Sequence, residues 1–467
     1  MAITLDSASV LTPLERGIEH AAGRERRTLI SVTVPVEGLD PSAVAFASRL
    51  ASDRWFCWEQ ADRGFALATV GSAHDAVSRG PARFADLAEE CLAVGRNGIF
   101  GGAESTPPGI GPVWTGGFAF ADDGGRTPQW SSFAPAAMTL PELSVCRSGH
   151  ELHLTLNAVV HPGADPEAAL ARLRRRLAGL REDPLPPLDP HRAGRPRISG
   201  ARPPGEFEQA VAAAVTRIEA GGLSKVVLAR EVVVSAAAAH DPAPVFAALR
   251  ELFPSCFCFC CGTPEGAFLG ASPELLLRRA GASLSTVALA GSTRRSSDPA
   301  VDDHLGEQLR RSDKELREHG IVARRIVRAL RRHAVWVEAA PEPEIVKVAN
   351  IQHLATPIVA QLAEPRSAID LAGMLHPTPA VGGEPWPEAS EAIAELEGMD
   401  RGWYAGPVGW MDAAEDGEFC VALRSALLRD REAHLYAGGG IVAGSDPAAE
   451  LAETEVKLEA LLPLLSA

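Results

Sequence analysis

Two periodicities divide the chain. Between residues 28 and 160 the runs "TLISVTVPV", "GFALATV", "GGFAFAD" and "ELHLTLNAVV" read as strands separated by turn-rich connections, with one clear helix in "DPEAALARLRRRLAGL". A Pro- and Arg-rich passage, 183–206, interrupts every period and marks a boundary between a region 1–190 and a region 206–464. Beyond it, "EFEQAVAAAVTRIEAGG" puts Phe207, Val211, Ala214, Val215 and Ile218 on one helical stripe, ended by Gly221 and Gly222. Strands "KVVLAREVVV", "CFCFCCGT", "AFLGAS", "ELLLRRA" and "STVALAG" follow, then a long charged helical region, 301–333. Further strands, "YAGPVGWMD", "FCVALRSALL" and "AHLYAGGGIVAGS", lead to a closing helix, 448–462. Hairpin strands with helices inserted between groups predict an α+β fold with large, mostly antiparallel sheets.

Composition narrows the partners. At 467 residues and 46% hydrophobic the chain can bury a large core. A net charge of −15 repels phosphate backbones and anionic lipid, which argues against nucleic-acid and membrane-surface binding. No run of ~18 apolar residues and no signal-peptide core is present, which predicts a cytoplasmic protein. In "SCFCFCCG" the cysteines 256, 258 and 260 alternate with phenylalanines, so in a strand they line one face and diverge from any single metal ion. They read as small apolar core residues.

Candidate chemistry comes from carboxylates and one lysine. Glu315 and Glu318 stand three apart on one helical stretch, and Glu450 and Glu453 repeat the spacing on the closing helix. Such pairs are common on solvated faces. Two of them turned to a common point would make a hard-oxygen site suited to Mg²⁺. Lys225 opens an apolar strand, and Glu274 follows a Ser-Pro turn between apolar strands. Burial would fit the lysine as a base and the carboxyl as an acid. The glycine-rich "AGGGIVAGS" matches neither a dinucleotide fingerprint nor a P-loop, and is expected to form a tight turn that lets backbone approach a substrate.

The strings "SKVVLAR", "GASPELLL", "LAGSTRR", "SDKELREH", "IQHLATP", "HPTPAVGG", "YAGPVGW", "ALRSALL", "AGGGIVAGSDP" and "ETEVK" occur in that order over 206–463. Together they resemble the chorismate-utilising enzymes, and among them the isochorismate synthases of menaquinone and siderophore biosynthesis. Residues 1–190 resemble the more variable N-terminal part of that family, chiefly through "GGFAF".

The resemblance implies sandwich-like sheets surrounded by helices, Mg²⁺ as cofactor and chorismate as substrate. It assigns Lys225 as the base that activates water for attack at C2, and Glu274 as the acid that protonates the departing C4 hydroxyl. Glu318 and Glu453 match the principal Mg²⁺ ligands, with Glu315 and Glu450 in support. Arg424, Tyr404 and the amides of Gly438, Gly439 and Gly440 match a clamp on the enolpyruvyl carboxylate. His353 matches a pocket histidine with Thr356 near it in sequence, and Ala380 and Val381 lie where subtypes of the family differ. A monomer without a glutaminase subunit is expected, because "HPTPAVGGEP" (376–385) departs from the "P-x-G-T-x-x-G-A-P-K" pattern of the anthranilate and aminodeoxychorismate synthases. A salicylate synthase, which also eliminates pyruvate, and a non-catalytic chorismate-binding protein remain open alternatives.

Overall fold

The structure is a computed structural model that describes residues 7–102, 106–189, 194–348 and 350–466. Residues 190–193 of the expected boundary passage lie outside it. The fold is α+β, with helices flanking two large sheets.

The larger sheet has thirteen strands. Its path runs Arg197–Gly200, Lys225–Ser235, Glu432–Ile441, Ser425–Arg429, Gly266–Ser272, Phe257–Thr263, Trp55–Gln60, Phe65–Val70, Leu143–Ser148, Glu151–Val160, Thr28–Pro35 and Ile99–Gly102, with Gly383–Glu384 added beside Lys225–Ser235. The second has ten, from Ala334–Ala339 through Ile351–Leu362, Ser283–Arg294, Leu275–Ala280, Gly417–Val421, Pro407–Asp412, Val113–Phe118 and Ala136–Leu140 to His74–Ser78, with Glu344–Lys347 also on Ile351–Leu362. Among the described strands only the pairing of Thr28–Pro35 with Ile99–Gly102 is parallel. Both sheets take strands from either side of the 183–206 passage; Cys258 pairs with Glu59, and Val408 with Gly117.

The strand Phe257–Thr263 shows how the sheet divides the interior. It is buried on both faces. Phe257, Phe259 and Cys261 point into the core between the sheets, while Cys258 and Cys260 join a second core under outer helices such as Pro41–Ser48 and Pro242–Leu252. All eight cysteines are free and buried, and burial raises the thiol pKa values. They are core residues, as their alternation predicts. No described helix is long and apolar enough to cross a membrane.

Two expectations need local correction. The charged region 301–333 is two helices, Pro299–Arg311 and Asp313–Leu330; Ser312 breaks between them with extended backbone and caps the second by accepting from the Glu315 amide. Of the glycines of "AGGGIVAGS" only the last, Gly444, lies in a turn. Gly438, Gly439 and Gly440 lie within the strand Glu432–Ile441, opposite Ala229, Leu228 and Val227, and the positive φ falls later, at Gly444 (79°).

Candidate active site

Four elements converge beside these glycines. The strand Lys225–Ser235 brings in Lys225 and Val227, which share a face two residues apart. The helix Asp313–Leu330 brings Glu315 and Glu318, and the helix Pro447–Leu458 brings Glu450, Glu453 and Lys457. Glu274 sits in the crossing between Gly266–Ser272 of the larger sheet and Leu275–Ala280 of the smaller.

The absence of side chains at 438–440 is what admits them. A Cβ on Gly440 would stand 2.1 Å from Glu318 Oε1 and 2.9 Å from Lys225 Cε. One on Gly439 would meet Glu450 Oε2 at 3.0 Å, and one on Gly438 the Tyr404 hydroxyl at 3.2 Å. Glycine is required here by close approach rather than by backbone conformation.

Lys225 is fully buried, and its Nζ lies 2.9 Å from Glu318 Oε1. The angles there do not complete a hydrogen bond, so the buried Nζ has no hydrogen-bond partner among the described residues. Glu274 is also buried, and burial pushes its carboxyl up to about 8, against the opposing pull of Lys225, Thr378, Arg424 and Lys457. The nearest hydroxyl, Thr378 Oγ1, stands 3.5 Å from its Oε1.

The carboxylates on the two helices feel one another. Burial and the neighbouring Glu318, Glu453 and Glu450 raise Glu315 to about 7, even with Lys314 3.7 Å away. Burial and Glu453 raise Glu450, which pairs with Lys314 at 3.0 Å. For Glu453 burial is outweighed by Lys457, 2.6 Å away, and by the Ser292 hydroxyl, which donates at 2.8 Å; its carboxyl is held down to about 2. Among the described residues no three carboxylate, imidazole or thiol side chains already converge on one point. An all-oxygen donor set of two helical pairs nevertheless fits Mg²⁺, which prefers one or two carboxylates completed by waters and substrate oxygens over a protein cage.

Beside the carboxylates lies a cavity with about 70 Å³ of free space. Glu274, Glu318, His353, Ala380, Val381, Tyr404, Arg424, Gly438, Gly440 and Glu453 line it; Lys225, Glu315, Thr356, Gly439 and Glu450 are not part of the lining. The space is small beside the ~300–1,000 Å³ of ordinary small-molecule sites, because the polar groups meet each other. Arg424 donates to His353 Nε2 at 3.2 Å, and Lys457 to the Gly438 carbonyl at 2.8 Å. Burial, Arg424 and Lys457 push His353 down to about 3, so it is neutral and can accept. Thr356 shares a 2.7 Å hydrogen bond with His319 and steadies that helix residue.

Arg424 and Ala405 hold left-handed backbone, with φ of 48° and 62°. Each costs of order 1–3 kcal/mol, and such strain gathers where a side chain must be aimed. Tyr404 is buried and stacks on Tyr436 with ring centroids 5.2 Å apart. These are the chain's two tyrosines, and both line the cavity.

Sequence reasoning missed Tyr436, Ser292, Thr378 and Arg401. The scarcity of tyrosine was a usable signal for the first, and the Glu397–Arg401 spacing of four for the last. Nothing local marked the other two. Lys457 pairs with Glu453 at 2.6 Å and also lines the cavity.

Comparison with known proteins agrees with this arrangement. The chorismate binding enzyme family matches residues 16–466. The salicylate biosynthesis isochorismate synthase of Pseudomonas aeruginosa is 36% identical over 97% of this chain and 93% of its own length. Isochorismate synthase MenF of Bacillus subtilis is 33% identical over 94% and 93%. Among solved structures, the menaquinone-specific isochorismate synthase MenF of Escherichia coli superposes with a TM-score of 0.79 at 27% identity, covering 98% of this chain and all of that one. With a family match that spans nearly the whole sequence, the chain belongs to the chorismate binding enzymes.

Proposed function

We propose that the protein is an isochorismate synthase, an isomerase that converts chorismate to isochorismate by adding water at C2 and expelling the C4 hydroxyl. The observation that carries this reading is a buried lysine, Lys225, which can serve as the base only as its neutral amine, beside a buried carboxyl at Glu274 whose pKa is pushed up to about 8. The reaction needs a base and an acid on opposite sides of one ring, and a carboxyl protonated at neutral pH can donate.

Lys225 is assigned to take a proton from the attacking water. Glu274 is assigned to give one to the departing hydroxyl. Arg424, paired in this structure with a neutral imidazole, is free to exchange that partner for the enolpyruvyl carboxylate, which a guanidinium fork suits better. Tyr404 and the amides beside Gly438, Gly439 and Gly440 complete that end. Glu318 and Glu453, with Glu315 and Glu450 in support, would hold Mg²⁺. Bound there, the ion supplies the positive charge that lets an acidic protein accept the ring carboxylate of a dianion.

The catalytic groups come from 206–464, and we assign 1–190 the role of completing the sheets around them. We expect a cytoplasmic monomer that uses water and needs no glutaminase subunit. Its product would feed menaquinone or siderophore biosynthesis. Incubation with chorismate and Mg²⁺ followed by product separation tests the reading: isochorismate alone supports it, pyruvate with salicylate reassigns the protein to salicylate synthase, and no turnover in the folded protein overturns it.

A further inference from the structure

One buried ion pair ties together two adjoining segments that both line the cavity. Arg401 and Glu397 lie four residues apart, both nearly inaccessible. Arg401 Nε donates to Glu397 Oε2 at 2.9 Å, and a second guanidinium nitrogen donates to Oε1. Two further donors reach backbone: one to the Val381 carbonyl at 2.8 Å, the other to the Val227 carbonyl at 2.9 Å. Glu397 Oε1 accepts in turn from the Ala229 amide at 2.8 Å. Above the guanidinium lies the Phe120 ring, with its centroid 4.0 Å from Cζ.

Four of the five guanidinium N–H groups are thus used, two on Glu397 and one on each backbone carbonyl. Val227 and Ala229 belong to the strand that carries Lys225, and Val381 belongs to the segment that joins this strand's edge one residue later, where the Gly382 carbonyl accepts from the Val227 amide at 2.8 Å; Val227 and Val381 both line the cavity. A guanidinium is planar and rigid, so its fork sets the separation of the two carbonyls it bridges. A lysine could reach one of them at a time. The acid side is reached through the same segment, since Thr378, three residues before Val381, stands at Glu274.

We infer that Arg401, backed by Glu397 and covered by Phe120, is a positioning residue for the reaction: it holds the strand of the base at a set distance from the wall that borders the acid. The inference rests on the isochorismate synthase reading. It predicts a loss in the chemical step rather than in binding, because the pair meets backbone and the groups assigned to the substrate carboxylates lie elsewhere.

Arg401→Lys tests it, with turnover of chorismate, calorimetric affinity for chorismate in the presence of Mg²⁺, and thermal melting measured on the same preparation. The expected result is a kcat lowered about 10- to 100-fold, since misplacement by about 1 Å costs that much, with affinity within about threefold and a melting midpoint above the assay temperature. An unchanged kcat overturns the inference, as does a kcat that falls in step with affinity or with the folded fraction. Should the variant fail to fold, Phe120→Leu removes only the ring above the guanidinium and is expected to lower kcat about 3- to 10-fold by the same pattern; unchanged turnover there overturns the inference. Absence of isochorismate from the wild-type protein would instead sink the functional reading, which separates the two failures.

Discussion

Lys225 Nζ and Glu318 Oε1 meet at 2.9 Å in a space that exists because residue 440 has no side chain. A methyl there would overlap Glu318 Oε1 at 2.1 Å and press on the lysine stem at 2.9 Å. Gly440→Ala is therefore expected to destabilise the fold by about 1–3 kcal/mol, the usual effect of overpacking, and to abolish most turnover by moving the proposed base. Thermal melting and a chorismate assay read the two effects separately. Wild-type turnover in this variant would show that the contact has no bearing on catalysis.

Glu274 should impose an alkaline limit. Its buried carboxyl titrates at about 8, so the proton-donating form dominates below that pH and is lost above it. Turnover under saturating chorismate is expected to fall as pH rises through about 8. Stability follows the same sign: a carboxyl whose folded pKa exceeds its unfolded value of about 4.3 contributes stability below the unfolded value and loses it as pH rises toward the folded one. Glu274→Gln should flatten that loss in pH-dependent melting while removing the acid. A variant that kept full turnover would exclude Glu274 as the donor.

Divalent cation should relieve the crowding of carboxylates. With Glu315 raised to about 7 by burial and its acidic neighbours, Mg²⁺ is expected to raise the melting temperature, by an amount equivalent to about 2.7 kcal/mol at a hundred times its dissociation constant. Chelation should stop turnover and added Mg²⁺ restore it. Glu453→Gln and Glu318→Gln should shift the Mg²⁺ dependence of melting more than Glu450→Gln does. Equal melting curves with and without Mg²⁺ would rule out these carboxylates as its ligands.

Arg424 is aimed by a backbone with φ of 48° and is held by a neutral His353 at 3.2 Å. Arg424→Ala is expected to weaken chorismate binding by about 1.5–3 kcal/mol, the worth of hydrogen bonds to a charged group, and to raise KM about 10- to 100-fold. His353→Ala, which removes only the resting partner, should affect KM far less. The reverse ranking would assign the carboxylate to the histidine.

Much of this was legible in one dimension because the relevant physics is local. Strand alternation and helical stripes located most elements, and the cysteines of 256–261 were recognisable as core from their alternation with phenylalanine. Carboxylate pairs three apart on a helix share a face wherever the helix is placed, so Glu315 with Glu318 and Glu450 with Glu453 could be named in advance. Family motifs carried the remaining assignments. The closing helix shows the limit: Pro447–Leu458 buries Glu450 and Thr454 as well as Leu458, and no periodicity tells a buried carboxylate from a solvated one.

By itself the sequence determined element types, the all-oxygen character of the candidate metal ligands, and the residue kinds available for acid, base and anion binding. Only the tertiary structure decided that Gly438–Gly440 form a strand rather than a turn, that Lys225 faces Glu318, that Thr356 serves His319, and that Arg401 joins Val227 to Val381. Those relations span from 20 to more than 200 residues of chain or depend on sheet pairing. Periodicity carries no record of such distances; the register of the strands and the packing of helices against them set which groups meet.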